Sequence, residues 1–146
     1  MEDTVETVEV LKEELRDHGL HVTTARLAVL QALHADPGHQ SAEEIRVAVV
    51  ARYPAVNQVT IYRTLEMFEA QGVAARVTLG DKLTRWERIA PIHHHVLCRA
   101  CGAVQDVEHA PFERLAADLE RTYGVRVEVR HLALPGLCAQ CAASAV

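Results

Sequence analysis

The 146-residue sequence has no run of 18 or more apolar residues, so no segment reads as a membrane-spanning helix. It also lacks the basic and apolar regions of a signal peptide. The opening MEDTVETVEVLKEELRDHG is acidic and helical in pattern, and the chain is expected in the cytoplasm, with no membrane partner. There is no internal repeat or low-complexity tract. No His-Glu-x-x-His helix or nucleophile motif appears, which weighs against a metalloenzyme, the alternative class. A positive net charge is missing as well, and −5 with a pI near 6.0 does not advertise a nucleic-acid binder. The distribution matters more than the total. Residues 1 to 17 carry seven acids against Lys12 and Arg16, which accounts for the whole of that charge and leaves the rest free to form a local basic patch. Cysteine is scarce: the four are Cys98, Cys101, Cys138 and Cys141. Reducing cytosol disfavours structural disulfides, so two Cys-x-x-Cys pairs point to metal.

What is present is enough apolar material, 49% of residues, for one ordinary domain or two very small ones. Val5, Val8, Leu11 and Leu15 recur at helical spacing before Gly19. Thr23 or Thr24 caps a second helix striped by Leu27, Leu30 and Leu33. Ser41 and Glu44 form a capping box for a third helix, with Ile45, Ala48 and Val49 as its apolar face. Asn57 opens a fourth that runs to Gln71 and stops at Gly72, with Ile61, Leu65 and Phe68 inward. Two short β-rich runs around Gly80-Asp81 then read as a hairpin. Helices closed by a hairpin make a winged helix-turn-helix, whose last helix would enter the DNA major groove. Tyr62, Arg63 and Thr60 on that helix, and Lys82, Arg85 and Arg88 on the hairpin, are candidates for DNA contact; a solvated surface is the alternative reading.

After Ala90-Pro91 the pattern changes. HHHVLC and GAVQDVE read as strands, Pro111 to Tyr123 as a helix with Phe112, Leu115 and Leu119 inward, and VRVEVRHLAL, residues 125 to 134, as a third alternating strand. The expected fold is therefore α+β: a winged-helix domain over residues 1–88, a hinge at 89–92 and a small α/β domain over 93–146. A unit of about 55 residues is too small to rely on its own core, so a metal staple or oligomerisation is expected.

The two cysteine clamps suit a tetrahedral structural zinc with no open position; buried free thiols or a redox pair are the alternatives. On a strand, His93 and His95 share a face and His94 takes the other. The pair could bind a divalent ion with Glu87 and Asp106, or could be a polar, solvated strand edge.

VTIYRTLEMFEAQG resembles the recognition-helix signature of the ferric uptake regulator family of bacterial metal-dependent repressors, and HHHVLCRACG with CAQC resembles its metal-binding signature. The resemblance runs from about Gly19 to Cys141. It implies a winged-helix DNA-binding domain, a hinge, an α/β dimerisation domain, and a homodimer that binds a palindromic double-stranded DNA operator when metal is loaded. It assigns the four cysteines to structural zinc, and His39, Glu87, His93, His95 and Asp106 to a regulatory site bridging the domains. An ion held there would favour a closed arrangement that sets two recognition helices at half-site spacing.

Three departures stand out. The family's further metal site would fall on Ile92, His94, Glu113 and Arg130, two of which cannot ligate. His131 sits one residue late, on the opposite face of a strand unless a bulge intervenes, so a site of His94, Glu113 and His131 is expected to be absent or degenerate. Thr24 replaces the family's usual Pro but leaves Arg26 available for DNA. The regulatory set has three imidazoles, two carboxylates and no thiolate, which suits Fe(II) or Mn(II) and leaves Zn(II) open. Zinc-sensing relatives commonly place Cys where Glu87 stands. Peroxide-sensing relatives use Asp there and share the Asp at 106, whereas iron-responsive ones tend to carry Glu at both. The expected function is thus an Fe(II)- or Mn(II)-sensing repressor of metal-homeostasis or oxidative-stress genes, with peroxide sensing the first alternative and zinc uptake a weaker one.

Overall fold

The computed structural model describes residues 2–36, 38–78 and 82–144, with side chains from Thr7 onward. The chain divides into two units, one of Met1–Thr78 and Lys82–Arg88, the other containing Ile89–Val146.

In the first unit α1 (Glu2–Asp17), α2 (Thr24–Ala35), α3 (Ala42–Arg52) and α4 (Gln58–Gln71) precede β1 (Ala74–Thr78) and β2 (Thr84–Arg88). Local signals set the helix ends. Thr23 Oγ1 accepts from Arg26 N–H, so Thr23 rather than Thr24 is the cap of α2. The Ser41 hydroxyl and Glu44 carboxylate exchange reciprocal bonds with backbone N–H groups at the start of α3. Asn57 Oδ1 accepts from Thr60 N–H. Gly72 takes φ 76° after α4, a left-handed conformation that costs a residue without Cβ least.

The strands pair antiparallel from Ala74↔Arg88 to Thr78↔Thr84, and the Gly80-Asp81 turn expected between them lies outside the described residues. Gln40 adds a single antiparallel bridge on the other edge of β2: its N–H donates to Trp86 O at 3.0 Å and its C=O accepts from Trp86 N–H at 2.6 Å. Its side-chain amide meanwhile donates to the carbonyls of Ala32 and Asp36, closing the C-terminal end of α2. Together these elements form a winged helix-turn-helix. Its core is Leu11, Leu15, Leu30, Leu33, Ile45, Val49, Ile61, Leu65, Phe68 and Trp86. Phe68 is fully buried, and truncating such a ring to Ala typically costs about 3–5 kcal/mol. Ala48, expected inward, is exposed, because Ile45 and Val49 already fill the contact at that turn of α3.

The second unit contains β3 (His93–Cys98), β4 (Val104–Glu108), α5 (Ala110–Tyr123), β5 (Ala133–Gly136) and α6 (Ala139–Ser144). The sheet order is β4-β3-β5, with β4 antiparallel and β5 parallel to central β3. The ten-residue strand expected over 125–134 is not formed. Only its end pairs with β3, and residues 125–130 carry no strand pairing. A period-two pattern makes a strand only where a neighbour offers hydrogen bonds. Val125 and Val127 stay 47% and 40% exposed there. Along α5 only Phe112 is buried. Leu115, expected inward, is 49% exposed, since no element among the described residues covers that part of the helix. No helix among the described residues is long and apolar enough to cross a membrane.

Candidate metal centres

Central strand β3 ends in Cys98, and the chain turns back at Gly102, whose N–H donates to Cys98 O at 2.9 Å with φ 78°. That turn presents Cys101 beside Cys98, and Cys138 and Cys141 come from the start of α6. All four sulfurs lie within 4.8 Å of one another, and Cys101 Sγ is 3.9 Å from Cys138 Sγ. Sulfurs about 2.3 Å from a shared tetrahedral ion would be about 3.8 Å apart, so the spacing fits zinc and is too long for a disulfide. The charge balance agrees. The N–H groups of Cys138 and Cys101 turn toward the Cys98 sulfur and bring its pKa down to about 6. Crowding by the sulfurs of Cys138, Cys101 and Cys98 pushes Cys141 up to about 12. Four thiolates this close repel one another, and a divalent cation relieves the repulsion.

A second cluster is built on the other end of β3. His93 and His95 share a face, with ring centroids 4.9 Å apart. His93 Nδ1 lies 2.8 Å from Pro91 O, and His95 Nδ1 lies 2.8 Å from Asp106 Oδ1 across the β3–β4 ladder. A carbonyl or carboxylate only accepts, so both protons sit on Nδ1 and both Nε2 atoms keep a lone pair. His131, which sequence reasoning groups with His94 and Glu113, has its ring against His93 and His95 instead; its Nε2 is 3.1 Å from His95 Nε2.

His94, on the opposite face, is fully buried and tilted over the Phe112 ring at 3.9 Å. Burial first, and the neighbouring imidazoles after it, hold its pKa below the ordinary histidine value. Its Nδ1 accepts from Leu132 N–H at 3.1 Å, so its Nε2–H donates to His109 Nδ1 at 2.9 Å. Both ring nitrogens are therefore engaged within the protein. Glu113 lies 3.7 Å from His109, a residue that nothing in the sequence spacing marks out.

In the first unit, the Gln40 bridge to Trp86 brings the neighbours His39 and Glu87 together, with His39 Nε2 3.1 Å from Glu87 Oε2. On α4, Val59 and Arg63 project side by side into solvent, four residues apart. Tyr62 and Thr60 are half-buried, and Tyr62 receives a long bond from Gln58. Arg26 is half-buried and donates to His21 O. Of the hairpin cations, Lys82 is exposed and Arg85 half-buried. Arg88 instead forms a forked ion pair with Glu14 on α1 and contacts His34, so its charge is used inside the fold.

Comparison with known proteins accords with this arrangement. The profile of the ferric uptake regulator family matches residues 17–134. The ferric uptake regulation protein of Bacillus subtilis (strain 168) is 29% identical over 139 residues, covering 92% of this chain and 93% of that one. The peroxide operon regulator of the same strain is 26% identical, covering 88% and 89%. Among solved structures, the ferric uptake regulator from Pseudomonas aeruginosa with manganese is 30% identical, covers 89% of this chain and 98% of its own, and gives a TM-score of 0.70. With its winged helix, four-sulfur cluster and histidine-bearing central strand, the chain belongs to the ferric uptake regulator family.

Proposed function

We propose that the chain is a cytoplasmic, metal-dependent repressor that binds a palindromic operator as a homodimer. Residues 1–88 would contact DNA, 89–92 act as the hinge, and 93–146 carry dimerisation. Zinc would be held permanently by Cys98, Cys101, Cys138 and Cys141. The regulatory ion, Fe(II) or Mn(II), would be held by His39 and Glu87 from the first unit and by His93 and His95, with Asp106, from the second. The observation that carries this reading is the preset tautomer of His93 and His95. Each ring is fixed from behind at Nδ1, and outer contacts of this kind orient imidazoles for metal. An ion held by the His39–Glu87 pair and by these nitrogens would favour a closed state by its differential affinity for it.

Homodimerisation is supported by the apolar groups the second unit leaves in solvent. Leu115, Val125, Val127 and Leu134 are each at least 40% exposed, and Tyr123 is 71% exposed. Among the described residues, its buried apolar side chains are only Cys98 and Phe112. A second copy that buries these groups would supply the missing core.

DNA contact is assigned to α4, where Arg63 offers a fork for a guanine edge or a phosphate and Val59 offers an apolar contact for a thymine methyl. Thr60, Tyr62 and Arg26 would support the docking through phosphate. Arg63→Ala is expected to weaken operator binding by about 1–3 kcal/mol with the fold intact, measured by fluorescence anisotropy at fixed salt. Unchanged affinity would return Arg63 to the solvated face.

Similarity to a peroxide operon regulator and the Asp at position 106 favour a second reading, peroxide sensing. Its signature is a gain of one oxygen atom, donated by hydrogen peroxide, on the peptide carrying His39 or His93 when the protein is loaded with Fe(II) and not with Mn(II). Mass spectrometry decides it, and no oxygen gain with Fe(II) bound leaves the metal-uptake reading alone.

A further inference from the structure

His131 stands outside the regulatory set of His39, Glu87, His93, His95 and Asp106. We propose that His131 is a direct ligand of the regulatory ion beside His93 and His95, and that Asp106 acts on that ion only through His95. The inference rests on the reading that His93 and His95 hold the ion, and changes its composition.

Register is the first support. β5 runs parallel to β3 with His95 opposite Ala133, and the same register continued two residues ahead of β5 sets position 131 opposite His93, where the His131 ring does meet those of His93 and His95. In a parallel ladder, paired residues share a face, which places 131 with His93 and His95 and turns position 130 to the side of His94. The one-residue offset that removes a histidine from the His94 face thereby adds one to the His93–His95 face. The backbone holds it there: His95 N–H donates to Leu132 O at 2.8 Å, and Leu132 N–H donates to His94 Nδ1 at 3.1 Å. His94, buried and locked against Phe112, is thus a positioning residue for the segment that carries His131.

Atom placement is the second support. The ligand atoms of His93, His95 and His131 lie within 4.8 Å of one another, and the two Nε2 atoms of His95 and His131 are 3.1 Å apart. Nitrogens about 2.0–2.1 Å from one ion are separated by about 2.8–3.4 Å in octahedral cis or tetrahedral positions, so this spacing, which is also that of a hydrogen bond between the two rings, fits two ligands on one centre. Asp106 sits on the far side of the His95 ring, at Nδ1, with its side chain 75% exposed. From there it fixes the tautomer and raises ligand basicity. A further imidazole makes the donor set softer, which favours Fe(II), Co(II) and Zn(II) over Mn(II). His131 is therefore a specificity-determining residue as well as a ligand.

The test uses the full zinc-replete chain titrated anaerobically with Co(II). Absence of thiolate-to-cobalt charge transfer in the absorption spectrum establishes that the cysteine cluster keeps zinc. Proton NMR of the cobalt-loaded protein counts the contact-shifted imidazole N–H signals. Both His131→Ala and His131→Gln, the latter keeping polarity and bulk, should remove one signal and weaken Co(II) by about 100-fold, and Mn(II) by less. Asp106→Asn should keep every signal while weakening Co(II) by about 10-fold. If folded His131 variants keep the wild-type signal count and Co(II) affinity while His93→Ala loses Co(II), the regulatory reading survives and His131 is no ligand. If the wild type takes up no Co(II) beside its zinc, the regulatory reading fails and this assignment fails with it.

Discussion

Replacing Cys98 by Ser, or stripping zinc with a strong chelator, is expected to unfold residues 89–146 while the helical core built on Phe68 remains folded. Cys98 is the buried end of the central strand, and its sulfur belongs to the cluster that joins β3 to the start of α6. The second unit has little else to hold it, with Phe112 its other buried apolar side chain among the described residues. Zinc held by such a cluster contributes about 10–16 kcal/mol, as large as the whole stability of an ordinary domain at about 5–15 kcal/mol. Its removal should therefore exceed anything the sheet can recover. Since the proposed dimer surface lies on the same unit, dimerisation should be lost together with the fold. Acidification should act in the same direction, because protons compete with the ion for four thiolates. Amide hydrogen exchange measures this residue by residue: protection should vanish along β3, β4 and β5 and persist along α2, α3 and α4. A Cys98→Ser protein that stays dimeric with β3 protected would overturn the assignment of structural zinc.

His93→Ala is expected to leave zinc content, dimerisation and both folds intact and to abolish the response of DNA binding to Fe(II) or Mn(II). The ring is half-buried at the start of β3 and contributes little packing, so its loss is chemical rather than structural. If the ion works by favouring one arrangement of two units, the gain in operator affinity equals its differential affinity for that arrangement, about 5- to 150-fold in couplings of this size. Without His93 that gain should fall to about one. His94→Ala is the informative contrast. It opens a cavity against Phe112 and frees the segment carrying His131, so it should lower the stability of the second unit together with metal affinity. A His93→Ala protein whose operator affinity still rose normally with metal would remove the bridging mechanism.

The sequence is legible where the signal is local. Capping at Thr23, Ser41 and Asn57, the stop at Gly72, and the inward stripe of Ile61, Leu65 and Phe68 each depend on residues within one or two helical turns. The separation of His93 and His95 from His94 follows from strand alternation alone. What escapes are contacts set by distant parts of the chain. Arg88 reads as a wing cation, yet it pairs with Glu14, 74 residues earlier. The Gln40–Trp86 rung that brings His39 to Glu87 carries no sequence mark, because a single bridge needs no pattern. The alternation over 125–134 is a true apolar periodicity on a segment that is mostly unpaired, because the pattern does not say whether a neighbouring strand is there to meet it. His131 shows the limit most clearly. Its one-residue offset is visible in the sequence, but which face it gains depends on the parallel register with β3.

Metal-gated recognition of a specific DNA sequence is tested most directly by in vitro selection from a random duplex library. The zinc-replete protein is presented with the library under anaerobic conditions, with Fe(II), with Mn(II), and with neither, and the bound DNA is sequenced. The expected result is enrichment of an inverted repeat with half-sites about one helical turn apart, present with the ion and absent without it. Enrichment that is the same with and without added metal, or none under any condition, would contradict it.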